Sequence, residues 1–479
     1  MKKHFNLVLS LLFSVGAMVV VLPAHAQTAG PDPREIPVPQ VETPMGLLPG
    51  VHALPVHPEL PALFTFSNGK KVRTLVDWQR RRTEIRRTLE YYATGQMPPA
   101  PGNVRGEVVQ TEAVLGGKAQ YRLVRLTFGP ERKLELFIGI FTPADRKGPF
   151  PAIIAQTEEP PGGPRLPRSP MGPNQGKGED VLLFVGQGSA MPAAAPGSLR
   201  QHPAQTAEQI AESRSDVLSR GFALVLYNDN DCAEDTTLRE SDGSFTFRHT
   251  RFPAAYPQYD WGVLAAWAWG ASRVTDYLVT DPDLDKNTIL ITGASRSGKA
   301  AMIAAAFDER LIGAPVVTGG GGIGAYRLAG ADRSESLDMM EKKYPNWFSP
   351  HLHEFWGQRE RLPFDEHFFL ALCAPRPFIA LEGDADTISL PSAVRGSIDA
   401  ARPVWKLYGA RPERLGVHYS HHPHAFTTED WTAMMDFVDT MLRGKASTQN
   451  FDRRLTMEER VAAVAREAAN VPVAQGPRK

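Results

Sequence analysis

Residues 287–299, Asn-Thr-Ile-Leu-Ile-Thr-Gly-Ala-Ser-Arg-Ser-Gly-Lys, constrain the fold of this chain more than any other stretch. The β-branched run Thr288–Thr292 predicts a buried strand. The chain turns sharply at Gly293, Ala294 and Ser295, and Lys299–Phe307 predicts a helix. A serine on a glycine-flanked strand-to-helix turn is held away from its own backbone, with helix amides aimed at whatever it attacks. The same letters nearly spell a phosphate-binding loop. Gly293–Lys299 fills its first seven positions, but Ala300 stands where a Ser or Thr hydroxyl must hold Mg²⁺. A nucleotide site therefore ranks last.

The N-terminus bears on which ligands the chain can meet. Lys2 and Lys3 form a basic segment, Phe5–Leu22 an apolar one, and Ala24-His25-Ala26 offers small residues for cleavage before Gln27. Export to the periplasm or the medium is expected, with residues 1–26 a signal peptide. No later stretch approaches the ~18 apolar residues of a spanning helix, so no membrane span is expected in the mature chain. Lys+Arg and Asp+Glu both count 53, so no global charge favours nucleic acid. Cys232 and Cys373 make no disulfide framework; they either pair with each other or lie buried and free.

The pattern along the chain alternates strands with helices. Residues 27–74 read as a proline-rich arm, 75–445 as the catalytic domain and 446–479 as a charged tail holding a short helix at 455–469. Leu75–Tyr92 is helical in composition; its arginines (Arg80, Arg81, Arg82, Arg86, Arg87) read as a solvated face. Residues 104–142 alternate around Gly116-Gly117, as antiparallel strands do. Pro151–Ala155, Gly221–Tyr227, Leu311–Thr318 and Pro377–Glu382 read as further strands, and residues 157–204 as a long proline- and glycine-rich loop. Asp260–Leu278 reads as a helix whose Trp261, Trp267 and Trp269 suit the core better than a sugar platform. Together these imply a three-layer αβα sandwich around a mainly parallel sheet.

A serine nucleophile needs a base and an acid, which in this architecture follow in the order acid, then histidine. Glu382, Asp384 and Asp386 follow an apolar strand, and Asp386 is favoured because its loop carries it beyond the sheet edge. His424 lies in a loop before the helix predicted at Trp431–Leu442. The imidazole takes the serine proton, and the carboxylate fixes its tautomer and charge. His418, His421 and His422 lie nearby, but without the spacing of a metal site, and no metal or cofactor is expected.

The combined motifs resemble the glucuronoyl esterases, carbohydrate esterase family 15. They are Gly293–Lys299, Trp261-Gly with residues 266–270, residues 319–327 with Tyr326 and Arg327, Asn346-Trp347-Phe348, Leu362–His367, Ala374–Pro377 and His424–Trp431. The resemblance spans roughly residues 75–445. It implies an α/β-hydrolase that cleaves esters of glucuronic acid, often 4-O-methylated, on xylan, as in lignin–carbohydrate linkages. Ser295 matches its nucleophile, His424 its base and Asp386 the acid of some bacterial members. Arg296 matches an oxyanion-hole arginine, Lys299 a lysine on sugar hydroxyls and Glu335 a polar position in the uronate pocket. Trp347 is a candidate packing wall.

The chain also departs from the family pattern. Val317 replaces a glutamate, Ala294 a disulfide-forming cysteine, and Thr387-Ile388 a tryptophan. The expected partner is glucuronoxylan or a lignin–carbohydrate ester, and a monomer is expected. Alternatives are an acetylxylan or related carbohydrate esterase on the same fold, or a silent polysaccharide-binding protein.

Overall fold

A computed structural model describes residues 41–157, 207–317, 323–329 and 335–470. The proposed signal segment, residues 158–204 of the expected long loop and the glycine run at 319–322 lie outside the described residues, as does the chain end beyond residue 470.

Among the described residues nine strands form one sheet: β1 (Arg105–Val114), β2 (Ala119–Phe128), β3 (Leu134–Pro143), β4 (Phe150–Thr157), β5 (Ala223–Asn228), β6 (Leu284–Thr292), β7 (Leu311–Val317), β8 (Phe378–Gly383) and β9 (Leu415–Ser420). Their order is β1-β2-β3-β5-β4-β6-β7-β8-β9. The three N-terminal strands form an antiparallel meander, which joins β5 antiparallel. From β5 to β9 every pairing is parallel.

Parallel strands need helical crossovers, which cover both faces of the sheet. Among the described residues the longer helices are α1 (Leu75–Leu89), α2 (Ala207–Ser219), α3 (Val263–Leu278), α4 (Ser295–Phe307), α5 (Leu337–Lys343), α6 (His367–Cys373), α7 (Pro391–Leu407), α8 (Thr428–Arg443) and α9 (Met457–Asn470). The strands have period 2, so neighbouring residues face opposite layers. Ile153, Leu224, Leu290 and Ile379 pack toward α2 and α8, in a layer with Val217, Trp431 and Met434. Ile154, Val225, Ile289 and Ala380 pack toward the layer containing α1, α3, α4 and α7. This is the expected αβα sandwich of an α/β-hydrolase.

Trp267 and Trp269 are buried on α3, and Trp261, expected on the same helix, lies just before its start at Val263 and is fully buried as well. The arginines of α1 divide. Arg80, Arg86 and Arg87 are exposed, whereas Arg81 is buried, pairs with Glu84 and donates to Leu63 O (3.1 Å). Cys232 and Cys373 are both buried and unpaired. No helix among the described residues is long and apolar enough to cross a membrane.

The described part of the arm is fixed to the domain. Val51, Leu63 and Val72 join the core, and Tyr92 donates to Pro49 O at 2.6 Å. The buried Arg327 is one of its ties. It pairs with Asp365 (3.1 Å) and donates to His57 O (3.0 Å), Leu362 O (2.6 Å) and Phe364 O (2.9 Å). Asp365 also accepts the amides of Tyr326 (2.7 Å) and Glu366 (2.9 Å). Removing one partner of a buried ion pair leaves the other charge uncompensated, at a cost of about 3–5 kcal/mol. Asp365→Ala is therefore expected to lower the unfolding free energy by about that amount, read from the urea midpoint at unchanged slope.

Candidate active site

Three loops at the carboxyl ends of β6, β8 and β9 meet at one edge of the sheet. The first is the turn into α4. Ser295 adopts φ +52°, a left-handed conformation that costs a non-glycine residue about 1–3 kcal/mol. Gly293 is required beneath it, because a Cβ there would fall 2.5 Å from the carbonyl carbon of Ser297. The sequence places the helix start at Lys299, whereas α4 begins at Ser295 itself. Among the described residues no side chain caps α4, so its first-turn amides point at the space before Ser295. Ser297 Oγ donates to the buried Asp229 (2.7 Å), tying the turn to the end of β5.

The second loop follows β8. Asp386 N donates to Gly383 O (3.1 Å), closing a turn, and Asp386 Oδ1 accepts the amides of Ile388 (2.7 Å) and Ser389 (3.3 Å). A Cβ on Gly383 would meet His422 O at 2.2 Å, so only glycine lets this loop lie against the third.

The third loop carries His424 between β9 and α8. Its Nδ1 lies 2.9 Å from Asp386 Oδ2, and its Nε2 lies 3.1 Å from Ser295 Oγ. An ionised carboxylate only accepts, so Nδ1 carries the proton and donates to Asp386. Nε2 is then left to accept the Ser295 hydroxyl. Asp386 is 1% exposed. Burial alone would raise its pKa, but the charge and hydrogen bond of His424 and the two loop amides outweigh it, holding the carboxyl below its ordinary value.

The other acid candidates lie elsewhere. Asp384 accepts from His421 at 2.8 Å. Glu382 is buried at the end of β8. Burial, with Asp386's charge beside it, pushes its carboxyl well above the usual range, although a contact with Ser389 works the other way. Its carboxyl is thus shifted in the opposite direction from that of Asp386.

The residues expected around the substrate converge one helical turn beyond Ser295. Lys299 Nζ pairs with Glu335 Oε2 at 2.7 Å, both buried. Glu335 N donates to Ile388 O (3.1 Å), linking this pair to the acid loop. Arg296 pairs with Asp235, and its guanidinium lies 5.0 Å from the Trp347 ring centroid and 5.3 Å from that of Tyr344. Asp235 also accepts from Asn346 Nδ2 and Trp347 Nε1, both at 2.8 Å. Trp347 is 1% exposed and stacks on Tyr344 at 3.9 Å. Its packing thus serves Arg296 and Lys299, whose Nζ stands 5.6 Å from the ring centroid.

Several supporting residues escape a motif reading. Asp229 and Asp235 follow an apolar strand, the same signal that marks the acid loop. His422 and Asp430 have no such signal, because a loop and a helix start bring them together. His422 Nε2 lies 3.0 Å from Asp430 Oδ2 and Nδ1 lies 2.6 Å from Pro423 O. Both ring nitrogens face acceptors, as in an imidazolium. Burial works against this charge, but Asp430 and the Pro423 carbonyl outweigh it and raise His422 to about 9. Asp430 in turn closes the capping box of α8 with Thr427. The histidine cluster is thus divided among separate partners, apart from His418, whose ring lies 6.3 Å from that of Phe451.

Fold and site together define an α/β-hydrolase with the serine, imidazole and carboxylate chain of a serine esterase. A family model described as glucuronyl esterase, fungi, matches residues 194–409. The chain is 24% identical over 406 residues to carbohydrate esterase MZ0003 from an unknown prokaryotic organism, covering 81% of this chain and 90% of that one. It is 28% identical over 408 residues to a 4-O-methyl-glucuronoyl methylesterase of Phanerochaete carnosa, covering 82% and 84%. The structure of a family 15 glucuronoyl esterase from Caldicellulosiruptor kristjansonii superposes with a TM-score of 0.61 at 26% identity, over 85% of this chain and 96% of that one. In sequence and in fold the chain is thus similar to the glucuronoyl esterases of carbohydrate esterase family 15.

The raised pKa of His422 makes the third loop sensitive to alkali. A group whose folded pKa lies above its unfolded 6.5 contributes fully below that value, and its contribution is lost as pH rises through about 9. The stability advantage of the wild type over His422→Gln is therefore expected to shrink between pH 6.5 and 9, in urea unfolding at stepped pH. A constant difference across that range would remove the charged His422 from this account.

Proposed function

We propose that this protein is an exported serine esterase that hydrolyses glucuronoyl esters, including 4-O-methyl-glucuronoyl esters of xylan, through an acyl-serine intermediate. The observation that carries this reading is the continuous chain Ser295 Oγ, His424, Asp386, with the buried Lys299–Glu335 pair one helical turn away.

The chemistry follows from the protonation states. His424 Nε2 takes the hydroxyl proton as Ser295 Oγ attacks the uronoyl carbonyl, and Asp386 stabilises the imidazolium that forms. The amide of Arg296, the first after the nucleophile, and the first turn of α4 face the developing oxyanion. The Arg296 guanidinium, held by Asp235, adds a fixed cation at that end. His424 then returns its proton to the leaving alcohol. Water, deprotonated by the same imidazole, releases the acid. Lys299 and Glu335 offer a cation and a carboxylate to sugar hydroxyls. No step in this sequence calls on a metal or an organic cofactor.

The test is acid release from benzyl glucuronate and, in parallel, from an acetylated xylooligosaccharide, with Ser295→Ala as blank. Release from the uronate ester, absent in the blank, is expected. Release only from the acetylated sugar would keep the serine chemistry and move the substrate to acetyl esters. Silence on both would leave a polysaccharide-binding protein. Asp386→Asn is expected to lower kcat by about 10³–10⁴ with the circular dichroism spectrum unchanged, and Arg296→Ala by about 10². Glu382→Gln and Asp384→Asn should retain activity. An inactive Glu382→Gln beside an active Asp386→Asn would move the acid role to Glu382.

A further inference from the structure

The chain beyond α8 returns to the site. Residues 444–456 run back along β9, where Val417 N donates to Phe451 O at 2.7 Å and Val417 bridges Asp452 in parallel register. Asp452 is held by Arg395 (2.5 Å) and Arg402 (2.7 Å) of α7. Thr456 then opens α9, its Oγ1 accepting Glu459 N (3.1 Å) while Glu459 accepts Thr456 N (2.8 Å). This reciprocal cap fixes the direction of the first turn.

Arg460, in that first turn, lies against the acid loop. Its Nη2 donates to Asp386 O (3.0 Å) and to Ser389 O (2.8 Å). Ala463, three residues on, is fully buried. The two carbonyls bracket residues 386–389, the turn that Asp386 Oδ1 closes from inside through the amides of Ile388 and Ser389. The loop is thus gripped from within by its own carboxylate and from outside by a guanidinium. Neither grip uses Oδ2, which faces His424.

We propose that Arg460 is a positioning residue for the reaction: by clamping the carbonyls of Asp386 and Ser389, the C-terminal helix holds the Asp386 carboxylate in line with His424. This rests on the reading of Asp386 as the catalytic acid. A small displacement of Asp386 would change the His424 hydrogen bond and slow turnover, while the sugar-binding side at Lys299 and Glu335 stays as it is.

The test compares kcat, KM and thermal unfolding of the full-length protein with Arg460→Gln, Arg460→Lys, Arg466→Gln and Asp386→Asn, on benzyl glucuronate. Arg460→Gln is expected to lower kcat by about tenfold at unchanged KM, with part of the loss recovered by added guanidinium ion. Arg460→Lys, which keeps the charge and can reach one carbonyl, is expected to retain more activity than Arg460→Gln. Arg466 lies on the same helix, is 59% exposed at its side chain and reaches only Asp384, at 3.9 Å; Arg466→Gln should behave as wild type.

Wild-type kcat in Arg460→Gln overturns the proposal. So does a loss of kcat that follows the unfolding temperature without guanidinium recovery, which would make Arg460 merely stabilising. If Arg460→Gln does not fold, Arg460→Lys decides: reduced kcat at wild-type KM and unfolding temperature supports the clamp, and wild-type kcat overturns it. An active Asp386→Asn would instead overturn the acid assignment itself. An inactive Asp386→Asn beside a fully active Arg460→Gln removes the clamp alone.

Discussion

The imidazole of His424 joins three loops that have no covalent reason to meet. Its two nitrogens span Ser295 and Asp386 at 3.1 and 2.9 Å, distances that a shift of one ångström in any loop would spoil. Much of the surrounding structure bears on holding that span. The parallel pairing of β8 with β9 runs without a break from Phe378 opposite Leu415 to Gly383 opposite Ser420. It delivers the acid loop and the histidine loop side by side, and Gly383 lets them touch. The strained Ser295 backbone then turns its hydroxyl toward them.

Two buried carboxyls four residues apart show how environment assigns chemistry. Glu382 and Asp386 are equally inaccessible, and burial pushes both toward the neutral form. Asp386 escapes because His424 and two loop amides face it. Glu382, at the strand end, has too few donors to offset burial and the neighbouring charge of Asp386. The catalytic reading of Asp386 follows from where hydrogen-bond donors point, not from which residue is the more acidic type.

The same division separates His424 from its neighbours. His422, two residues away, is fixed as a cation by Asp430 and the Pro423 carbonyl and braces the loop, while His421 pairs with Asp384 away from the serine. On the other side, Asp235 gathers Arg296, Asn346 and Trp347 into one cluster. A guanidinium so held is preorganised, which is how a cation contributes most to a developing charge.

Much was determined by the sequence alone, and for a local reason. The β-branched run before Gly293, the small residues of α4 and the apolar runs at 223–228 and 378–383 are short-range patterns, legible because strand and helix periods are properties of consecutive residues. They specified the α/β architecture, Ser295 on its turn and the acid-then-histidine order. Tertiary structure decided what depends on loops meeting: which of Glu382, Asp384 and Asp386 faces which histidine, that His422 is charged, and that Asp235 holds Arg296. It also decided that residues 446–470, a charged tail by composition, run along β9 and place Arg460 on the acid loop. Apart from the His422–Asp430 pair, these relations link residues tens of positions apart, and no local period encodes them. They follow from sheet order and from the desolvation that burial imposes on each charge.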